Sequence, residues 1–361
     1  MAIDRERLVA DFLELIAIDS PSGEEAAAAT DLERRLAALG AEAWKDDHGN
    51  VLARVAGSGE PLLLSAHMDT VEPGRGIVPR FDGPDIIRSS GDTILAADDK
   101  GGCAVILEVI RSLAEDGGVH RPIEVALTRG EEIGLVGAAN LDYRALTAKV
   151  AIVIDSGGPP TEIQSASPYY YGYTIDVHGR SAHAGLEPEK GVPAIGIGAE
   201  IVVGLPQGRI DEETTGNVGV ISGGLVVNAV PEHCRIEGEM RSMDEAKVER
   251  LVAYAKTQID IVSEKNPEAR IEADFALKMP GFKIDAEDPA AALVFGVLER
   301  LSMTPNPQPV GGGTDGNVFR GHGIASIVIG RGGYAQHTKD EYLVIPEMVD
   351  CARVVEAAAR T

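Results

Sequence analysis

Residues 122 to 134 read P-I-E-V-A-L-T-R-G-E-E-I-G. A short, mostly apolar run stops against two glutamates framed by glycines. Such a run, bounded by turn residues, suits a strand covered on both faces, as in a parallel sheet. The same grammar recurs outward from it. Residues 61–66 lead into Ser65-Ala66-His67-Met68-Asp69, residues 150–154 stop at Asp155, and residues 325–329 precede a glycine loop and His337. A further short strand is expected over 51–55. Helix-spaced stretches lie between the strands: 4–18, with apolar residues at Leu8, Phe12, Leu15 and Ile16, then 24–39, ended by Gly40, and 101–113. Strands alternating with helices predict an α/β domain with a mixed, mostly parallel sheet flanked by helices.

From about residue 167 the pattern changes. Residues 169–177 alternate as a half-buried strand should, and a helix over 192–203, strands over 217–221 and 234–240, a helix over 244–264 and a strand over 270–275 follow. That order, β-α-β-β-α-β, is the ferredoxin-like α+β arrangement. After residue 280 the α/β character returns, with a helix over 288–301 and a last helix begun by Pro346, at the position proline favours. The expectation is one domain over 1–166 and 277–361, interrupted by a smaller inserted domain over 167–276.

Composition narrows the function classes. At 361 residues the chain has length for about two domains. Its 33 Lys and Arg against 57 Asp and Glu leave a net charge of −24, which repels phosphate backbones and anionic lipid. Aromatic residues are only 4%, too few for a base-stacking surface. Nucleic acid and membranes are therefore not expected partners. Cys103, Cys234 and Cys351 are far apart, odd in number and form no C-x-x-C, so neither a disulfide framework nor a thiolate zinc site is expected. The first residues lack a signal-peptide core, and the longest apolar stretch, 192–206, contains Glu200 and is too short to span a bilayer. The expected location is a reducing cytoplasm.

Five strand ends carry metal-ligand residue types. His67 and Asp69 point the same way on an extended chain. A metal-bound imidazole usually has its other nitrogen fixed by a carboxylate or carbonyl, so His67 suits a ligand with Asp69 behind it, against the plain reading of a polar strand end. Asp98 and Asp99, in A-A-D-D-K-G-G, repel unless a cation or a helix N-terminus compensates them. A carboxylate there could bridge two metals, or simply cap the helix. Of Glu131 and Glu132, one could hold a metal while the other faces the water to be activated. Asp155 stands at the carboxyl end of a strand, where ligands gather in open α/β sheets, although aspartate is also common in turns. His337 in its loop says little alone. Jointly, the implied set is His67, Asp98, Glu132, Asp155 and His337, with Glu131 left as base. Carboxylates mixed with imidazoles suit zinc, manganese or cobalt. Five ligands with one bridging carboxylate fit two ions about 3.5–4 Å apart.

Taken in order, S-A-H-M-D, A-A-D-D-K-G-G, T-R-G-E-E-I-G, D-S-G-G, H-G-R-S-A-H-A-G and Q-H-T-K-D-E-Y resemble the two-metal peptidase family typified by peptidase T, carboxypeptidase G and aminoacylase. The tail, with Gly-Gly-Thr-Asp-Gly-Asn before it, is most similar to peptidase T-like members. The resemblance implies two divalent ions, zinc first: His67, Asp98 and Asp155 around one, Asp98, Glu132 and His337 around the other. It implies a cis peptide after the bridging Asp98, Glu131 as catalytic acid/base, and an inserted domain serving as lid and dimerisation surface. His183 would stabilise the tetrahedral intermediate, in the family often from a partner subunit. Arg241 would grip a substrate carboxylate, a bidentate task for a planar guanidinium, and Asn228 would line the same cleft. The plain readings are a turn histidine for His183 and an ion pair with Asp244 or Glu245 for Arg241. His178 reads as structural. Gly311 to Gly313, with no P-loop lysine following, reads with Thr314 and Asp315 as a tight turn beside the cleft.

The expected activity is two-metal hydrolysis of an amide bond in a small peptide, as an aminopeptidase or tripeptidase-like exopeptidase. The alternatives are an N-acyl-amino-acid deacylase or carboxypeptidase of the same family, which the ligand set does not separate, and a non-catalytic metal- or peptide-binding protein, which predicts a missing base or ligand. The expected partners are a small substrate and a second copy of the chain.

Overall fold

The apolar runs become the middle of one sheet. In the computed structural model, which describes residues 3–285 and 287–361, the strands Ile123–Thr128, Leu62–His67, Val150–Gly157 and Ala325–Tyr334 lie side by side, all parallel. Every residue of Leu62–His67 and Ile123–Thr128 is buried, as expected for a sheet covered on both faces. Side chains alternate between the two faces: Leu62 and Leu64 join one apolar cluster, Leu63 the other. The first cluster takes in Leu8, Phe12, Leu32, Ile106 and Val355 from covering helices. The second takes in Ala138, Phe319 and Ile324. Truncating a buried leucine such as Leu63 to alanine costs about 2–5 kcal/mol.

Antiparallel strands extend both edges of this parallel centre. Val51–Val55 and Glu42–Lys45 continue beyond Ile123–Thr128, and Tyr342–Val344, Ile86–Ser89 and Pro79–Phe81 continue beyond Ala325–Tyr334. The parallel register aligns strand ends; His67 sits opposite Thr128, for example. Chain segments that leave these ends therefore emerge on one edge of the sheet.

The chain divides into two compact units, Met1–Ala166 with Ile284–Thr361, and Ser167–Lys283. The second boundary falls at Lys283 rather than residue 276, because the last strand of the inserted unit runs on over Arg270–Met279. The inserted unit has its own sheet, in which Thr214–Gly223, His233–Ser242, Tyr169–His178 and Arg270–Met279 are neighbours in that order, all antiparallel. With helices Ala194–Gly204 and Glu245–Lys265 packed against it through Ile197, Ile201, Val248 and Val252, this is the ferredoxin-like arrangement with a separate core. The short strand Gly208–Arg209 pairs only with Thr215 and Gly216, so residues 217–223 form an edge without a neighbouring strand among the described residues.

Thr314 and Asp315 do not form a simple turn. The Thr314 hydroxyl caps the helix Asp315–Gly321, and Asn317 returns a bond to the Thr314 backbone. That reciprocal box satisfies amides that the glycine run before it cannot.

Candidate metal centre

His67 ends its strand buried, and its ring is fixed from behind. Nδ1 lies 3.0 Å from the Asp69 carbonyl oxygen and 3.4 Å from Asp69 Oδ1. Nε2 is thereby turned toward two carboxylates, 3.0 Å from Asp98 Oδ1 and 3.6 Å from Asp155 Oδ1. The other oxygen of Asp98 faces a second imidazole: His337 Nε2 lies 3.4 Å from Asp98 Oδ2 and 2.8 Å from Glu132 Oε1. The two oxygens of one aspartate thus divide between two nests of donors. Ligand atoms of His67, Asp98 and Asp155, and separately of Asp98, Glu132 and His337, lie within 4.8 Å of one another. A third grouping, His67 with Glu131 and Glu132, meets the same limit. Two N/O nests sharing one carboxylate match the donor chemistry of a pair of divalent cations.

Asp69 also shapes the glutamate turn. Its carboxylate accepts from the Ser22 hydroxyl at 2.7 Å and from the backbone N–H groups of Glu131 at 3.0 Å and Glu132 at 3.3 Å. Burial works against this charge, but His67 and these donors hold its pKa at about 2. Asp69 therefore orients a candidate ligand and the candidate base together.

The peptide bond Asp98–Asp99 is cis. The backbone around it is held by Glu341, whose buried carboxylate accepts from the N–H groups of Leu95, Ala96 and Asp98 at 2.7, 2.9 and 3.0 Å. Beneath the cage lies Arg331, 1% exposed. Its guanidinium donates to the carbonyls of Ala97 and Ser156, and lies 2.7 Å from Asp98, 3.2 Å from Asp99 and 3.6 Å from Asp155. Neither residue follows from strand-end spacing. Glu341 falls inside the Q-H-T-K-D-E-Y stretch, and Arg331 in a glycine-rich segment without ligand character.

Charge explains the titration pattern. Burial alone would raise Asp98, but Arg331, His337 and His67 hold its carboxyl well below the usual range. Burial pushes Asp155 and Glu131 well above it, reinforced by neighbouring carboxylates. His337 is raised to about 10 by its bonds to Asp98 and Glu132. A general base needs a proton affinity matched to its task, and Glu131, beside the donor nests but outside the two that share Asp98, has one raised by desolvation.

These side chains line a cleft of about 390 Å³ with Ser156, Gly157, Gln164, Thr314 and Gln336. The remaining candidates lie in the inserted unit. His183 is exposed, in a segment that pairs with Asn228 to Val230: Ala184 N–H donates to the Asn228 carbonyl, and His183 bridges Ala229. Asn228 is also exposed. Arg241 pairs with Glu239 at 2.9 Å, not with Asp244 or Glu245, and lies 4.5 Å over the Tyr170 ring. The reason is local: Asp244 is spent capping the following helix. His178 makes a 3.4 Å contact with Glu272.

Comparison with known proteins gives one consistent picture. The model for peptidase family M20/M25/M40 matches residues 63–361. An uncharacterised Bacillus subtilis protein, YqjE, is 35% identical over 98% of both chains, and a peptidase T of Clostridium novyi is 27% identical over 94% of this chain and 95% of its own. Among solved structures, an aminopeptidase PepT of Bacillus cereus superposes with a TM-score of 0.89 at 37% identity, covering 99% of this chain and 98% of the other. A Staphylococcus aureus tripeptidase gives 0.91 at 30% identity, with the same coverage.

Proposed function

This chain belongs to peptidase family M20/M25/M40, and from that premise we propose that it is a metal-dependent aminopeptidase that removes one residue from small peptides, tripeptides foremost. The observation that carries the reading is the split of Asp98 between two donor nests, with Glu131 beside them but outside both. Two divalent cations fit, with zinc preferred by the N/O donors and cobalt or manganese acceptable. His67, Asp98 and Asp155 would hold one, Asp98, Glu132 and His337 the other. The ions supply Lewis acidity and an activated water.

The chain's own residues supply the rest. Glu131 takes the proton of the attacking water and returns it to the leaving amine. Asp69 keeps His67 and the Glu131 backbone in place while this happens. His183 stabilises the oxyanion, and Arg241 and Asn228 contact the far end of the peptide. The chain works as a homodimer, for which the uncovered edge at residues 217–223, with Val220 and Ile221 about half exposed, offers a pairing surface. Three buried unpaired cysteines suit a reducing cytoplasm. No described helix is long and apolar enough to cross a membrane.

The test is direct. Metal-loaded protein should cleave tripeptides and stop after dialysis against a chelator, with Zn²⁺, Co²⁺ or Mn²⁺ restoring turnover. Glu131→Gln should keep two metals per chain by elemental analysis yet lose about 10²–10⁴-fold in kcat. Full activity in that variant, or activity that survives chelation, would end the reading.

A further inference from the structure

Gln164 lies on the strand Glu162–Ser167, between Ile163, which packs into the main core, and Ser165. Alternation along the strand turns its side chain away from that core, and it lines the cleft that holds the donor cage. The residue is 7% exposed. Its Oε1 is buried and has no hydrogen-bond partner. Among the described residues, the other buried side-chain oxygens without a partner belong to Asp315 and Glu356, neither of which lines this cleft. A buried amide oxygen left unpaired is costly, so its place in the pocket wall calls for a donor that arrives with the substrate. The terminal torsion of glutamine is soft, so the carboxamide can turn its oxygen to an incoming group.

The chemistry of the cleft says which end of a peptide that group belongs to. A C-terminal carboxylate needs a cation, and the only lysine or arginine among the lining residues is Arg331, already engaged by Asp98, Asp99 and Asp155. A free α-ammonium needs acceptors to replace its shed water. Asp98, Glu132 and Asp155 are the expected cation ligands and Glu131 is the base, so they are not available for that task. An acylated nitrogen offers one amide N–H and brings an apolar chain, for which a bare carboxamide oxygen is a poor wall.

We propose that Gln164 is the residue that reads the free amino terminus, its side-chain oxygen accepting from the substrate α-ammonium and so selecting free peptides over N-acyl amino acids. The assignment rests on the aminopeptidase reading above and names the residue that selects the free amino end.

The experiment compares trialanine with propionyl-dialanine, which has the same chain without the amine. Zinc-loaded wild type should cleave trialanine far faster. Gln164→Leu should lower kcat/KM for trialanine by about 10- to 100-fold and cut the preference for trialanine over propionyl-dialanine by at least that factor. Gln164→Glu, which keeps an acceptor, should restore the preference. Calorimetry in a Glu131→Ala background supplies a readout without turnover: adding Gln164→Leu should weaken trialanine binding about tenfold or more and propionyl-dialanine binding far less. Metal content and melting temperature of each variant guard against misfolding. Equal losses on both peptides, or no loss on either, would overturn the role of Gln164 while trialanine cleavage by wild type keeps the exopeptidase reading. If wild type cleaves neither peptide, that reading falls and this one with it.

Discussion

Arg331 is an unusual neighbour for a cation site: a buried guanidinium set against three aspartates, two of them candidate ligands. Several carboxylates in one cavity repel unless something compensates them. Without metal, that compensation comes from Arg331 and the two histidines; with metal, the dications take most of it over. Removing one partner of a buried charge group costs about 3–5 kcal/mol when nothing replaces it. Arg331→Met should therefore lower the melting temperature of chelated protein sharply and that of zinc-loaded protein much less. Equal losses in both forms would mean that Arg331 contributes only packing. His337 carries the opposite proton balance. Its pKa rises from an ordinary value near 6.5 to about 10, through its bonds to Asp98 and Glu132. Its stabilisation of metal-free protein is thus fully present below the unfolded value and lost as pH climbs through the folded one. In chelated protein, the melting-temperature gap between wild type and His337→Ala should be widest at about pH 6 and closed by about pH 10.5.

At the scale of elements, the cage depends on a glutamate that is not itself one of the proposed ligands. Glu341 ties down three backbone amides between Leu95 and Asp98, fixing the chain where it enters the helix Ala97–Asp116. Groups that orient a ligand from behind typically matter 10- to 100-fold, so Glu341→Ala should weaken zinc binding by about that factor in a calorimetric titration while the far-ultraviolet circular dichroism is unchanged. This separates what the sequence discloses from what it conceals. His67, Asp98, Glu132 and Asp155 are legible because each follows an apolar strand or opens a helix, and parallel strands deliver their ends to one edge. Glu341 and Arg331 are not, because their partners stand between 175 and 246 residues away and no periodicity records a bond of that range. The strands Pro79–Phe81 and Ile86–Ser89 escape for another reason: they are short and only partly buried, so they lack both an apolar run and a clear alternation. Thr314 was hidden by the glycines before it, which look like a turn whether or not a capped helix follows.

For the whole molecule, the decisive feature is the unequal division of labour between two cores. All of the proposed metal ligands belong to the unit Met1–Ala166 with Ile284–Thr361, while Ser167–Lys283 has a separate apolar cluster built on Ile175, Ile201, Ile236 and Val248. A ligand stabilises only the cooperative unit it binds, by about 2.7 kcal/mol when its free concentration is a hundred times its Kd. Scanning calorimetry of metal-loaded protein should therefore resolve two transitions. Chelation should lower one and leave the other in place, and zinc should return the shifted one to its starting temperature. The net charge of −24 sharpens the contrast, since loss of cations leaves the cage carboxylates inside an already acidic chain. A single transition moving as a whole with chelator would show that the inserted unit does not unfold independently, and its separate core would then have to be regarded as an extension of the metal-binding one.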